Sequence, residues 1–258
     1  MAIFPFGRPV LSMPARKARE NGVFVLGAYP SALHVQWSPV GVKPIKALPV
    51  DNEPAPFWTG DDEEECIQRW RLAVGWDPAW GTVSAPTQAY NGSSGRSLVG
   101  DILSPLRLSL NEAWVTDCLN EYHMSEGVRT RLREDIGEAL ARINHSPSEL
   151  RRHPSETTIC RGAMRSHRER IASELEQAGA PVAVTLGNAA LRVFSEIVGR
   201  TDVPRLVADA NRYGDPIDIQ FAGHRIRWYP VCHPGQRDPD YRSAHRAWMA
   251  KVAGLWPA

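Results

Sequence analysis

The chain has 258 residues, 43% of them hydrophobic and 9 of them Trp, enough to fill a substantial core, and its 30 basic and 29 acidic residues leave a formal net charge of +1. That balance argues neither for nor against an anionic partner. No apolar run approaches the roughly 20 residues of a membrane span and no signal-peptide core stands at the N-terminus, so a cytoplasmic protein without membrane contact is expected. Four separated cysteines (Cys66, Cys118, Cys160, Cys232) without a CxxC pair indicate neither a zinc site nor a disulfide framework.

Residues 1–20, with several prolines and basic positions, read as an irregular lead-in. A first strand is expected at 23–26, within VFVLGAYPSALHV (Val23 to Val35), where an apolar run breaks at Gly27 into a Pro-containing turn. A buried strand ending in Gly and Pro delivers its next residues to the carboxyl edge of a sheet, where open α/β folds bind ligands. From Trp37 to Gly60 the prolines at 39, 44, 49, 54 and 56 exclude a long helix and predict an extended segment laid over the fold, ordered by Pro56, Phe57 and Trp58. Seven acids crowd residues 51–65; those at 61–65 suit the first turn of a helix over 61–74.

A loop over 75–95 ends in NGSSGRS before LVGDIL, which sets Ser94 or Gly95 near a helix start whose free N–H groups suit a phosphate. AWVTDCL (113–119) reads as a second strand, 128–143 and 161–177 as helices, and VAVTL (182–186) as a third strand running into a helix at AALRVFSEIV. A fourth strand at 225–231 ends in CHPG, and a helix over 241–255 closes the chain. Strands alternating with helices predict an α/β protein, a three-layer αβα arrangement with a central, mostly parallel four-stranded sheet in a single domain over 1–258. Residues 151–258 hold 16 bases against 11 acids, and only four of the 30 basic residues are Lys. Arginine's planar fork suits phosphates and base edges, although a GC-rich genome accounts for the same bias.

Three strand ends, GAYPS, TDCLN and HPGQR, thus share one edge. Their order resembles the uracil-DNA glycosylase superfamily. Gly27-Ala28-Tyr29-Pro30 corresponds to its G-x-[DN]-P motif, Asp117 in WVTD to its base-reading residue, and His233-Pro234 to the late motif before a loop that enters DNA. LGNAA at 186–190 and NGSSGRSLVGDIL are similar to two further family segments. The resemblance spans roughly residues 23–246 and implies an enzyme that flips a nucleotide out of the stack and hydrolyses its glycosidic bond. It implies His233 as the donor to O2 of the leaving pyrimidine, Gln236 and Arg237 as the wedge, and Ser94, Gly95 and Arg96 as phosphate contacts. Arg237 reads equally well as a solvated surface residue. Phe57, Trp58 and Tyr90 are candidates for the stacking platform, with core packing the competing role for each. Asp117 is also a plausible strand-end turn residue.

The departures from the family pattern carry the substrate argument. Tyr29 stands where most relatives have the Asp or Asn that positions water, and a phenol is a poor base near neutral pH. The nearest acids in sequence, Asp51 and Glu53, are candidates for that role, or else belong to an ordinary turn cluster. Ser31 replaces the Tyr that crowds pyrimidine C5 in the classical uracil enzymes, so Ala28, Tyr29 and Ser31 should border a pocket open at C5. Asp117 replaces an Asn: a carboxylate repels uracil O4 but accepts from the cytosine N4 amino group, and a protonated one also donates to N3. The expected activity is excision of a 5-substituted cytosine, hydroxymethylated or glucosylated, from foreign DNA by a monomer. No cofactor or metal is expected, because hydrolysis needs no redox chemistry. The alternatives are a repair glycosylase for uracil or another deaminated base, and a non-catalytic binder of flipped bases motivated by Tyr29.

Overall fold

In chain order, β1 (Val23–Gly27) is followed by β2 (Ala32–Ser38), β3 (Ile45–Asn52), α1 (Glu63–Ala73), β4 (Thr82–Ser84) and α2 (Ser93–Ser97), in a computed structural model that describes residues 2–20, 22–87, 90–145 and 148–254. A π-helical turn (Leu98–Leu103) extends α2, after which come β5 (Ala113–Asp117), α3 (Glu126–Arg131) and α4 (Gly137–Arg142). The chain closes through α5 (Glu156–Ser166), α6 (Arg168–Ala178), β6 (Val182–Leu186), α7 (Gly187–Ile197), β7 (Ile217–Phe221), β8 (His224–Val231) and α8 (Pro239–Ala253).

The central sheet has the order β5-β1-β6-β8-β7, with β5, β1, β6 and β8 parallel and β7 antiparallel at the edge. β1 is buried along its whole length, as an inner strand covered on both faces must be. Phe24 and Leu26 pack with Ile159, Ala163, Ile171 and Phe194 of α5, α6 and α7, whereas Val23 and Val25 pack with Ile102 of the π turn and Trp248 of α8. Burial of each such side chain stabilises the fold by roughly 1.5–3 kcal/mol, before the entropy of ordering is subtracted. Helices therefore cover both faces, compatible with the three-layer arrangement expected, but the sheet has five strands, not four. The fifth, β7, is joined to β8 by Ala222 and Gly223, both at positive φ (47° and 82°), the geometry of a tight type I′ hairpin.

The proline-rich stretch differs more from expectation. It folds as a second, antiparallel sheet with the order β3-β2-β4. Pro49 lies within β3, an edge strand, where its missing N–H leaves no inner ladder bond unmade. Leu33, Val35 and Trp37 alternate on the buried face of β2 and pack with Leu48, Ile67 and Trp70. Phe6, from the irregular lead-in, inserts among Trp37, Trp70, Trp76 and Trp80.

Two of the expected helices are also interrupted. The one at 161–177 is two, α5 and α6, parted at His167 (φ −130°), and the one at 128–143 is α3 and α4 joined through a π-helical segment at 132–136. Residue 255 of the closing helix lies outside the described residues. Among these, the four cysteines are buried and unpaired, and no helix is long and apolar enough to cross a membrane.

Candidate functional site

The parallel strands end on one edge, and the loops leaving β1, β5 and β8 meet there over a cavity of about 470 Å³. Of the side chains singled out in the sequence, Ala28, Tyr29, Ser31, Glu53 and Phe57 line it, together with Tyr90, Ser94, Asp117 and His233. Contact is close at Gly27. A Cβ on that residue would collide with an Asp117 carboxylate oxygen and lie 2.9 Å from the Phe57 ring, so only glycine lets β1 end this close to both. Phe57 itself sits at φ 50°, a left-handed backbone that costs a bulky residue about 1–3 kcal/mol, and its ring lies 6.2 Å from that of His233.

Asp117, the last residue of β5, is 4% exposed, and neither carboxylate oxygen has a hydrogen-bond partner among the described residues. Burial pushes its pKa up to about 7, with Glu174 adding to the rise and the Arg170 guanidinium opposing it. Arg170, on α6, donates to Thr116 Oγ1 at 2.8 Å, to the Asp117 carbonyl at 2.6 Å and to Glu174, clamping the strand end from behind the cavity. Glu53 follows β3 and is equally buried. Desolvation and the charge of Asp117 raise it to about 8, while hydrogen bonds from the Ser31 hydroxyl and the Gly92 backbone work the other way. Two desolvated carboxyl groups thus face one cavity, and near neutral pH they hold a proton between them.

His233 leaves β8 with its Nδ1 accepting the Gly235 N–H at 3.0 Å. In the neutral ring the proton is therefore on Nε2, and desolvation keeps the ring neutral by lowering its pKa to about 4. Tyr29 is tied off: its hydroxyl is hydrogen-bonded to His153 Nδ1, and its ring meets those of His153 and His123 edge-on. Burial, then the charge of Asp117, push the phenol up to about 12, so it keeps its proton.

The remaining candidates have other work. Asp51 pairs with Arg8 at 2.9 Å and accepts the Asn52 N–H, and it is not among the cavity-lining residues. Trp58 is 6% exposed within the aromatic core, its Nε1 donating to Asp62 at 2.6 Å. Gly95 is buried against the Phe57 and Trp58 carbonyls, where a Cβ has no room, and Arg96 donates to the Thr59 and Asn91 carbonyls. Both therefore fasten loops. Gln236 accepts the N–H groups of Arg237 and Asp238 ahead of α8, and Gln236 and Arg237 line an adjoining cavity of about 550 Å³ that shares Ser94 and His233 with the first.

Sequence reasoning missed His123, Ser125 and His153 on the cavity wall, and Arg170 behind it. No local pattern marks these residues, because each reaches the site through a long-range contact. His34 and Asn91 were missed as well: the Asn91 side chain bonds both backbone groups of His34 and Glu63, pinning the loop that carries Tyr90. No protein-family model matches the chain, and a search of curated proteins returned no match.

Proposed function

We propose that the chain is a DNA glycosylase of the uracil-DNA glycosylase type that flips out and excises a 5-substituted cytosine, hydroxymethylated or glucosylated, with defence against modified foreign DNA as its role. The observation that carries this reading is the convergence, at three parallel strand ends, of Phe57, a neutral His233 and an Asp117 whose buried carboxylate oxygens have no partner among the described residues. An unpaired buried carboxyl group is costly unless a ligand satisfies it. Cytosine does so on two atoms: a protonated Asp117 donates to N3 and accepts from the N4 amino group.

The chemistry follows from the same residues. The flipped base stacks on Phe57. As the C1′–N1 bond breaks, negative charge gathers on O2, where His233 Nε2–H donates, and N3 takes the Asp117 proton. Glu53, at about 8, holds the shared proton more tightly than Asp117, at about 7, so the reactive form is the minor tautomer of the pair, with the proton on Asp117 and Glu53 as the carboxylate that stabilises the oxocarbenium-like sugar and accepts a proton from the water that bonds to C1′. Tyr29 takes no proton-transfer role, since its hydroxyl is engaged by His153. With the Ser31 hydroxyl turned to Glu53, the wall formed by His123, Ser125, Val128 and His153 is left to receive the C5 substituent.

The test is an abasic-site assay on duplexes carrying uracil, cytosine, 5-methyl-, 5-hydroxymethyl- or glucosylated cytosine. Cleavage of the substituted cytosines is expected; cleavage of uracil alone would favour a repair glycosylase and overturn the substrate argument. The tied-off Tyr29 gives specific support to a second reading, a non-catalytic binder of flipped bases. Tight binding to the same duplexes without any abasic product would select it.

A further inference from the structure

The two cavities share a wall, and His233 stands in it. Because only Cys232 separates His233 from the end of β8, the backbone of Cys232 sets the direction of its ring. That backbone is held from outside the sheet. The Cys232 N–H donates to Tyr213 Oη at 2.6 Å, Tyr213 Oη lies 2.8 Å from Nδ1 of His245 on α8, and His245 Nε2 lies 3.1 Å from the Asp101 carbonyl in the π turn after α2. The proton positions follow. A carbonyl only accepts, so Nε2 carries the imidazole hydrogen, Nδ1 accepts from the Tyr213 hydroxyl, and the phenol oxygen accepts from Cys232. Tyr213, 1% exposed and outside any helix or strand, is kept in register by Trp248 Nε1 donating to the Gly214 carbonyl at 3.1 Å.

Asp101 and His245 at one end of this chain, and Cys232 and His233 at the other, all line the larger cavity, which Arg242 and Arg246 of α8 make basic. A phosphate drawn to those arginines bears on the turn of α8 that carries His245. We propose that Tyr213 and His245 are positioning residues that couple occupancy of this cavity by a DNA phosphate to the aim of His233 in the base pocket. The proposal rests on the glycosylase reading for the identity of the ligand.

The experiment uses the full chain labelled with ¹⁵N-histidine and an unmodified duplex as the probe. In the wild type the His233 ring signals shift on titration with duplex. In Tyr213→Phe, which keeps the ring and loses only the hydroxyl, duplex affinity stays within about twofold while the His233 shift is lost. On a cleavable duplex kcat falls on the order of tenfold to a hundredfold at unchanged KM, as expected when a catalytic group is misaimed. His245→Gln is the second variant, used if Tyr213→Phe does not melt cooperatively. A His233 response to duplex in the variants equal to that of the wild type overturns the coupling, as does failure of the wild type to bind duplex. Absence of abasic product from the wild type counts against the glycosylase reading alone, because the ring signals still report the coupling.

Discussion

At the scale of single residues, Asp117 and Glu53 make the sharpest commitments. If Asp117 reads cytosine, Asp117→Asn presents an amide that donates to uracil O4 and accepts from its N3–H, and the variant gains uracil excision while losing activity on substituted cytosine. A variant that loses both activities, or keeps cytosine activity, refutes the assignment. The shared proton makes a separate prediction. With Asp117 raised to about 7 and Glu53 to about 8, the singly protonated pair is the active form, and kcat/KM should trace a bell in pH whose limbs belong to the pair. Glu53→Gln, which cannot accept a proton from water, should lower kcat by about 10²–10⁴-fold. Asp51 is the internal control: its carboxylate pairs with Arg8 away from the cavity, so Asp51→Asn should leave kcat within about twofold, because only a partly exposed ion pair is lost. Both acids were equally eligible in the sequence. What separates them is their place on the strand, since Asp51 pairs with Leu33 inside the ladder whereas Glu53 follows its end.

At the scale of elements, strands buried on both faces announce themselves by continuous apolar runs, which is why β1, β5, β6 and the buried 228–231 end of β8 are legible in the chain. β3 is not, because edge-strand tolerance hides it: five prolines read as a loop until pairing shows that Pro49 needs no inner hydrogen bond. β7 is hidden by its hairpin, whose positive φ at Ala222 no residue preference advertises. The motif residues at the strand ends are legible for the same reason as the strands. The wall of His123 and His153 is not, since these residues reach the cavity from a segment that carries no periodicity. Arg170 joins two elements, and its loss should be felt at both. Arg170→Met removes the charge that holds Asp117 down and leaves the Asp117 carbonyl and Glu174 without their donor. Destabilisation of about 2–3 kcal/mol in denaturant unfolding is expected, and the acid limb of the bell, near 7 where Asp117 titrates, moves to higher pH. An unmoved limb would mean that Arg170 only braces the strand.

At the scale of the whole molecule, a pocket that keeps carboxyl groups dry must weaken the fold as they ionise. Glu53 and Asp117 have ordinary values of 4.5 and 3.8 in the unfolded chain and about 8 and 7 when folded, so between these limits the folded state binds more protons and stability falls as pH rises. His34 and His233 run the other way: lowered from 6.5 to about 4 by desolvation, they leave the unfolded chain with more protons below pH 6.5, and stability falls as pH drops toward 4. The two trends oppose each other between about pH 4.5 and 6.5, which flattens the profile there. Above pH 6.5 only the carboxyl pair is left, and the urea midpoint should decline to about pH 8, with a slope approaching ~1.4 kcal/mol per pH unit for each proton lost. Glu53→Gln, neutral at every pH, should lose its share of that decline, which is nearly all of it between about pH 7 and 8, and so gain on the wild type over that unit on the order of 1 kcal/mol. The same substitution that slows turnover would then strengthen the fold. Parallel pH profiles for the two proteins above pH 7 would show that Glu53 is not held as a desolvated acid, and would remove the physical basis for its role as the proton acceptor.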